Sequence, residues 1–134
     1  MFYKETTLRV RYAETDRMGY AYYGNYATYF EVARVEAMRA LGISYRQLED
    51  DGVLLPVAEF HVKYKKPAYY DDEITIKVTI SELPKIRFKF DYETRNSNGE
   101  LLNTAFTELV FVNKETGRPM LIPDGVKDLM KDHF

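Results

Sequence analysis

The segment from Tyr26 to Leu41 constrains the fold of this chain more than any other. Eleven of its sixteen residues are apolar, and they recur at helical spacing between Asn25, a good helix cap, and Gly42, a good terminator. The apolar residues are not confined to one stripe, because Val32 and Val35 extend the apolar face round the side. The sequence therefore predicts a long helix that other structure covers on more than one side.

Alternating apolar and polar residues, the pattern of half-buried strands, occupy most of the remaining chain. The first run extends from Leu8 to Tyr12, before the long helix. Four more runs follow that helix: Ala58 to Tyr64, Ile74 to Ile80, Ile86 to Tyr92 and Leu101 to Asn113. Turn-forming residues such as Asn98-Gly99 separate them, so we expect an antiparallel meander. Shorter helices are predicted from Ser44 to about Asp51 and from Pro123 to Lys131.

The order of these elements predicts an α+β fold. At 134 residues the chain fits one domain, and we treat residues 1–134 as a single unit. An antiparallel sheet of about five strands wrapped around one long central helix is the hotdog fold. Such a sheet leaves exposed edges, and the strand from Leu101 to Asn113 is apolar on both faces. We therefore expect copies of the chain to associate as a homodimer or a homotetramer.

Composition argues against several classes of protein. A net charge of −2 at neutral pH, without a long basic run, disfavours nucleic-acid binding. The chain has no cysteine, and its two histidines, His61 and His133, are far apart in sequence, so neither a thiol nucleophile nor a metal site is expected. The N-terminus lacks the pattern of a signal peptide, and no apolar run is long enough to span a membrane. We expect a cytoplasmic protein.

The irregular segment before the long helix holds the candidate chemistry. The first N–H groups of a helix have no internal acceptors and carry the positive end of its dipole, so they can stabilise an oxyanion. Asp16 lies a few residues upstream, where a carboxylate could supply the attacking group. On these features alone, an aspartate in such a segment is more often a turn residue than a catalyst.

Residues Tyr12 to Tyr26 resemble the signature of the 4-hydroxybenzoyl-CoA thioesterase family, which includes the acyl-CoA thioesterases linked to the Tol–Pal system. The matching features are Glu14-Thr15-Asp16, Gly19 and Tyr22-Tyr23-Gly24-Asn25-Tyr26, followed by Glu31-Val32-Ala33-Arg34 and the stretch from Tyr64 to Asp72. The resemblance implies a hotdog enzyme that hydrolyses an aliphatic or aryl acyl-CoA, with no cofactor beyond the CoA of its substrate.

The same resemblance implies specific roles near the helix start. Asp16 would act as nucleophile or as general base for water, and the Tyr23 backbone N–H would polarise the thioester carbonyl. Many acyl-CoA thioesterases of the family have His where this chain has Tyr23. We expect this difference to change acyl preference, since a backbone N–H needs no particular side chain.

Other residues are further candidates for the site. Glu31 on the long helix is a second candidate carboxylate, although a structural pair with Arg34 or a neighbouring chain is the more frequent role. Glu14 is expected to be either a surface acid or an acid that fixes the loop, and His61 to lie on the outer face of its strand. Candidate substrate-binding residues are Tyr20, Tyr22 and Tyr26 for the acyl group, and Lys65, Lys66, Lys85 and Arg87 for the CoA phosphates.

Two alternative functions remain open from the sequence. A thioesterase acting on acyl-acyl carrier protein would need a basic patch beside the pocket, because that carrier has an acidic surface. A non-catalytic acyl-CoA-binding hotdog module would bind tightly without turnover. A hydratase or dehydratase is disfavoured, since these enzymes need a catalytic His beside the thioester.

Overall fold

The computed structural model describes residues 1–134, which form three α-helices and seven β-strands. The helices are α1 (Tyr26–Ala40), α2 (Tyr45–Asp50) and α3 (Asp124–Met130). The strands are β1 (Phe2–Arg9), β2 (Val53–Leu54), β3 (Val57–Tyr64), β4 (Glu73–Ile80), β5 (Arg87–Asn96), β6 (Leu101–Val110) and β7 (Val112–Asn113). Short 3-10 turns occupy Tyr12–Glu14, Tyr23–Asn25 and Lys131–His133.

Five strands form one antiparallel sheet in the order β1-β4-β5-β6-β3, and β2 pairs separately with β7. The predicted α+β hotdog architecture is confirmed. The first strand, however, starts at Phe2 and ends at Arg9, so Tyr12 lies in a 3-10 turn instead of a strand. The alternation of apolar and polar residues did not reveal the beginning of β1, because polar residues dominate between Lys4 and Thr7.

The prediction that all four later strands form a meander was wrong. Only β4, β5 and β6 follow one another as neighbours, whereas β3 pairs with β6 at the far edge of the sheet. The connection from β3 to β4 is not a tight turn. Its start is held by Lys65 and Lys66, whose N–H groups both donate to the Leu102 carbonyl, and Ala68 further on accepts from the Ala21 N–H at 2.7 Å. These hydrogen bonds hold the β3–β4 connection in place where it crosses the end of the sheet.

Helix α1 packs on the inner face of the sheet and forms the centre of the core. Phe30, Ala33, Ala37 and Met38 are fully buried, and the small alanines permit close approach to the strands. Burying each large apolar side chain contributes roughly 1.5–3 kcal/mol. The face of α1 predicted from Tyr26 to Leu41 is therefore confirmed as the core face, while Val32 is exposed.

Two features of the sheet bear on association between copies. Strand β3 is an edge strand whose residues are mostly exposed, including Val57 and Phe60. On β6, Ala105 and Leu109 are buried, whereas Phe106 and Val110 on the opposite face are half-buried. No helix in the structure is long and apolar enough to span a membrane.

Candidate active site

The segment Thr15–Ala21 forms a small hairpin that fixes the position of Asp16. Thr15 and Ala21 pair across it, the Asp16 N–H donates to the Tyr20 carbonyl at 3.0 Å, and the Gly19 N–H donates to the Asp16 carbonyl at 3.0 Å. Gly19 has a φ of 83°, which a residue with a side chain adopts only with strain. The Asp16 carboxylate accepts the Met18 N–H at 2.9 Å. Its orientation is therefore set by local hydrogen bonds.

Asp16 lines a groove with a volume of about 340 Å³. Two stretches of chain that are distant in sequence form its walls. Its lining residues are Asp16, Met18, Tyr20, Ala21, Tyr23 and Tyr26 from the first stretch, and Tyr64, Lys65, Lys66, Pro67 and Ala68 from the second. The groove is mainly apolar and aromatic, with one carboxylate and two cationic side chains. This is the composition expected of a small-molecule site.

The start of α1 lies at the same groove. The 3-10 turn Tyr23–Asn25 leads directly into the helix, and neither the Tyr23 nor the Gly24 N–H donates a hydrogen bond within the protein. Asn25 does not cap the helix as predicted, because its side-chain amide instead donates to the Glu14 carbonyl at 2.8 Å. The unpaired N–H groups and the helix dipole give this end of the groove a positive potential.

Glu14 ties the Asp16 hairpin to α1. Its carboxylate accepts the Arg11 N–H at 2.8 Å, the Arg11 guanidinium at 2.8 Å and the Tyr29 hydroxyl at 3.0 Å. Burial alone would raise the pKa of the Glu14 carboxyl, but the hydrogen bonds from Arg11 and Tyr29 outweigh it and lower that pKa. Glu14 also accepts the Tyr22 N–H through its carbonyl. Of the two roles expected for Glu14, a surface acid or an acid that fixes the loop, these contacts show the second.

Tyrosines form the inner wall of the groove. Tyr26 is 2% exposed, and burial raises its pKa to about 12, so its hydroxyl stays protonated near neutral pH. Its ring packs edge-to-face on Tyr64, with the centroids 5.6 Å apart. The Tyr64 hydroxyl approaches the Tyr23 carbonyl at 3.5 Å. Tyr64 was missed as a site residue, although it begins the motif that continues through Lys65-Lys66-Pro67.

The structure places only some predicted residues in this groove. Tyr20, Tyr26, Lys65 and Lys66 line it, and Lys66 is paired with Glu100. Tyr22 does not line it and packs instead against Tyr23, with ring centroids 4.8 Å apart. The close approach of Tyr22 requires glycine at position 24, where an added Cβ would lie 2.6 Å from the Tyr22 ring.

Glu31 lies outside the groove and is exposed on α1. The structural pair with Arg34 that we considered is not formed, because Arg34 points into the core and donates to the Tyr92 hydroxyl at 3.2 Å. Because the Glu31 carboxylate is exposed to water, it has no cost of burial, and that cost was the reason to consider it as a candidate. Nothing in its surroundings within this chain suggests a reacting group.

Lys85 and Arg87 line a different and larger concavity, of about 640 Å³, formed by residues 81–87 with Lys89, Asp91 and Glu108. Arg87 is 3.8 Å from the Glu108 carboxylate. Both cationic and carboxylate side chains line this concavity, which contains neither Asp16 nor a free helix N-terminus. Despite its size, it is the weaker candidate for chemistry. No group of three or more His, Asp or Glu side chains is arranged to hold a metal ion.

Comparison with known proteins places the chain in a family. Residues 10–130 match the family model described as the thioesterase-like superfamily. The chain is 34% identical over 120 residues to the putative acyl-CoA thioesterase YneP of Bacillus subtilis, covering 90% of this chain and 87% of that protein.

Solved structures agree with this assignment. A DHNA-CoA thioesterase from Staphylococcus aureus matches with a TM-score of 0.92 and 38% identity, covering 99% of this chain and 89% of that one. A 4-hydroxybenzoyl-CoA thioesterase matches in fold alone, with a TM-score of 0.84 and 20% identity over 95% of this chain and 97% of the other. The chain belongs to the thioesterase-like superfamily, and it is a thioester hydrolase with the hotdog fold.

Proposed function

We propose that this thioesterase hydrolyses its acyl-CoA substrate at the groove beside Asp16, with the Tyr23 N–H as oxyanion donor. The observation that carries the proposal is that an oriented carboxylate and an unpaired helix N-terminus line one groove. A carboxylate can attack the carbonyl or activate water, and a free N–H can stabilise the charge that develops on its oxygen. The relatives named for acyl-CoA and DHNA-CoA support the choice of a CoA thioester.

Two reaction courses fit this arrangement. In the first, an Asp16 carboxylate oxygen attacks the carbonyl carbon, the C–S bond breaks, CoA leaves as a thiolate, and water then hydrolyses the resulting anhydride. In the second, Asp16 removes a proton from water, the hydroxide attacks, and the proton passes to the departing thiolate. In both courses the Tyr23 N–H donates to the carbonyl oxygen as it becomes negative. A thiolate leaves without a strong acid, so no further protonated side chain is required.

Lys65 is the cation best placed for the CoA phosphates. It lines the groove and has no carboxylate within ion-pairing distance, whereas Lys66 is engaged by Glu100. Lys85 and Arg87 lie in a separate concavity of the same chain. We propose that they reach CoA only if a second copy brings that concavity next to the groove.

The proposed assembly is a homodimer formed through the edge strand β3. This strand has no neighbour beyond β6 and exposes Val57 and Phe60, so a second copy could continue the sheet. A Val57→Lys variant should shift the mass measured by light scattering toward the monomer, while Leu121→Lys, at another exposed apolar position, should not. A wild-type protein that is monomeric at micromolar concentration would contradict the dimer. A homotetramer and a cytoplasmic location stay predictions from the sequence.

The decisive test of the catalytic assignment is thiol release from a panel of aryl and short-, medium- and long-chain acyl-CoAs. We expect Asp16→Asn to reduce kcat by roughly 10³-fold or more, because the amide can neither attack nor accept a proton from water. Asp50→Asn, an exposed position on α2, serves as the matched control and should retain full activity. Undiminished release by Asp16→Asn would exclude Asp16 from the mechanism. Parallel assays with one acyl chain on CoA and on acyl carrier protein separate the two carriers.

A further inference from the structure

The main-chain carbonyl of Glu14 accepts two hydrogen bonds from the turn that leads into α1. The Tyr22 N–H donates to it at 2.8 Å, and the side-chain amide of Asn25 donates to it at 2.8 Å. These two donors stand at the two ends of the turn, which is closed by the Asn25 N–H donating to the Tyr22 carbonyl at 2.9 Å. A single carbonyl of the preceding loop therefore holds both ends of the turn.

Asn25 uses its side chain as a donor, which is not the usual role of an asparagine at the start of a helix. Such an asparagine normally accepts an N–H of the first helical turn through its side-chain oxygen. The Asn25 side chain makes no such bond, whereas Ser44 at the start of α2 accepts the Gln47 N–H at 3.2 Å in the usual way. Capping of α1 therefore does not explain the contact between Asn25 and Glu14.

The residues inside this turn are the ones that the proposed reaction uses. Tyr23 and Gly24 lie between the two anchored ends, and neither N–H has an acceptor within the protein. Glu14 is next but one to Asp16 in the sequence and belongs to the same loop. The Glu14 carbonyl thus connects the turn that carries the free Tyr23 N–H to the loop that carries the Asp16 carboxylate.

The second hydrogen bond fixes the direction of the turn as well as its position. With the Tyr22 bond alone, the turn could rotate about that bond, and the direction of the Tyr23 N–H would vary. The only other side-chain contact to the turn, from the Tyr64 hydroxyl to the Tyr23 carbonyl, is long at 3.5 Å. Catalytic groups must be held within about 0.5 Å of their productive positions, and a displacement of about 1 Å can cost roughly 100-fold in rate.

We propose that Asn25 is a positioning residue, which directs the Tyr23 N–H toward the thioester carbonyl through its hydrogen bond to the Glu14 carbonyl. This inference rests on the proposed function, since it takes the Tyr23 N–H to be the oxyanion donor. The bond from that N–H strengthens as the carbonyl oxygen becomes negative, so misdirecting it raises the barrier more than it weakens substrate binding. The loss of Asn25 should therefore lower kcat and leave KM nearly unchanged.

The test compares Asn25→Ser with Ser44→Ala in thiol-release assays on the full-length protein, using the acyl-CoA that the wild type hydrolyses fastest. Each variant loses one bond between a side chain and the main chain at a helix start, so their urea midpoints should fall by similar amounts. Asn25→Ser should lower kcat by about 10- to 100-fold and keep KM within about threefold of the wild-type value. Ser44→Ala should keep the wild-type kcat. Asn25→Gln retains an amide donor on a longer side chain and should recover part of the lost kcat.

Three results would overturn the role of Asn25 while hydrolysis stands. They are a wild-type kcat in Asn25→Ser, a loss confined to KM, and an equal fall in kcat in Ser44→Ala, which would trace the effect to lost stability. Full activity of Asp16→Asn together with a low kcat of Asn25→Ser would instead exclude Asp16 and support the orientation of the Tyr23 N–H.

A crystal structure of Asn25→Ser gives a readout that does not depend on turnover. If no acyl-CoA is hydrolysed, the proposed function fails, and this structure decides the positioning role by itself. The Tyr23 nitrogen should move relative to the Asp16 carboxylate by about 0.5 Å or more. An unchanged position of that nitrogen would overturn the inference.

Discussion

The two halves of helix α1 pack against the same sheet in different ways. Its second half buries Ala33, Ala37 and Met38, which have no polar groups to satisfy. Its first half buries Tyr26 and Tyr29, whose hydroxyls face Asn103 and Glu14. The first half therefore combines burial with polar chemistry. The difference shows that one helix can serve as the core of the domain at one end and as the wall of a candidate active site at the other.

Arg34 shows that the distinction is not absolute. It is 6% exposed, donates to the Tyr92 hydroxyl, and Tyr92 in turn is hydrogen-bonded to Thr107 at 2.5 Å. No carboxylate lies within ion-pairing distance of its guanidinium, and its Nε atom has no partner. The second half thus buries one charged side chain, which is stabilised by the neutral Tyr92 hydroxyl and by the Phe90 ring 6.0 Å away.

The largest effect on stability is expected at Phe30, where the two halves meet. This fully buried ring stacks on Tyr92 with centroids 4.5 Å apart and also contacts Tyr26. Phe30→Ala should lower the free energy of unfolding by about 3–5 kcal/mol, because it leaves a cavity at the centre of the core. Urea denaturation measures the loss, and Val32→Ala on the exposed side of the same helix should lose less than about 0.5 kcal/mol. Equal losses in the two variants would show that α1 is not the core helix.

The contrast between the two halves also explains how far the sequence could predict this molecule. Apolar spacing located α1 to within one residue of its end, because its core face is encoded locally. Asp16, Tyr20 and Tyr26 were predicted from one contiguous segment, and Lys65 and Lys66 from a second one far along the chain; all five line the same groove. The sequence did not show that Tyr64 lies beside Asn103 in the sheet. They meet only because β3 joins β6, and strand order and register depend on packing between distant segments.

An intermediate effect is expected at Glu14, which anchors the first half of α1 to the Asp16 hairpin. Glu14→Gln should cost about 1–3 kcal/mol, since the amide cannot accept all the hydrogen bonds that Arg11 and Tyr29 donate. The pKa of Glu14 is lower in the folded state than in the unfolded chain, so its ionised form stabilises the fold. This contribution is present above the unfolded pKa, about 4.3, and is lost as the pH falls through the folded value.

Unfolding measured in urea at several pH values tests this assignment. The difference in stability between wild type and Glu14→Gln should be greatest near pH 7 and should shrink as the carboxyl becomes protonated. Glu115→Gln, in an exposed turn without an ion pair, is the control and should show no such trend. A difference that stays constant down to pH 2.5 would mean that the charge of Glu14 is unimportant.

The smallest effect is expected from the Tyr64 hydroxyl. Its 3.5 Å contact with the Tyr23 carbonyl is at the limit of hydrogen-bonding distance, so it contributes little to holding the helix start. Tyr64→Phe should therefore keep kcat within about threefold of the wild-type value and change the free energy of unfolding by less than about 0.5 kcal/mol. Tyr64→Ala removes the ring that packs on Tyr26, and it should raise KM for aryl-CoAs more than it lowers kcat, because the groove loses part of its wall. A large fall in kcat for Tyr64→Phe would instead mean that the hydroxyl positions the Tyr23 N–H. Catalysis at the start of α1 would then require a hydroxyl from β3, in addition to the packing of the Tyr64 ring.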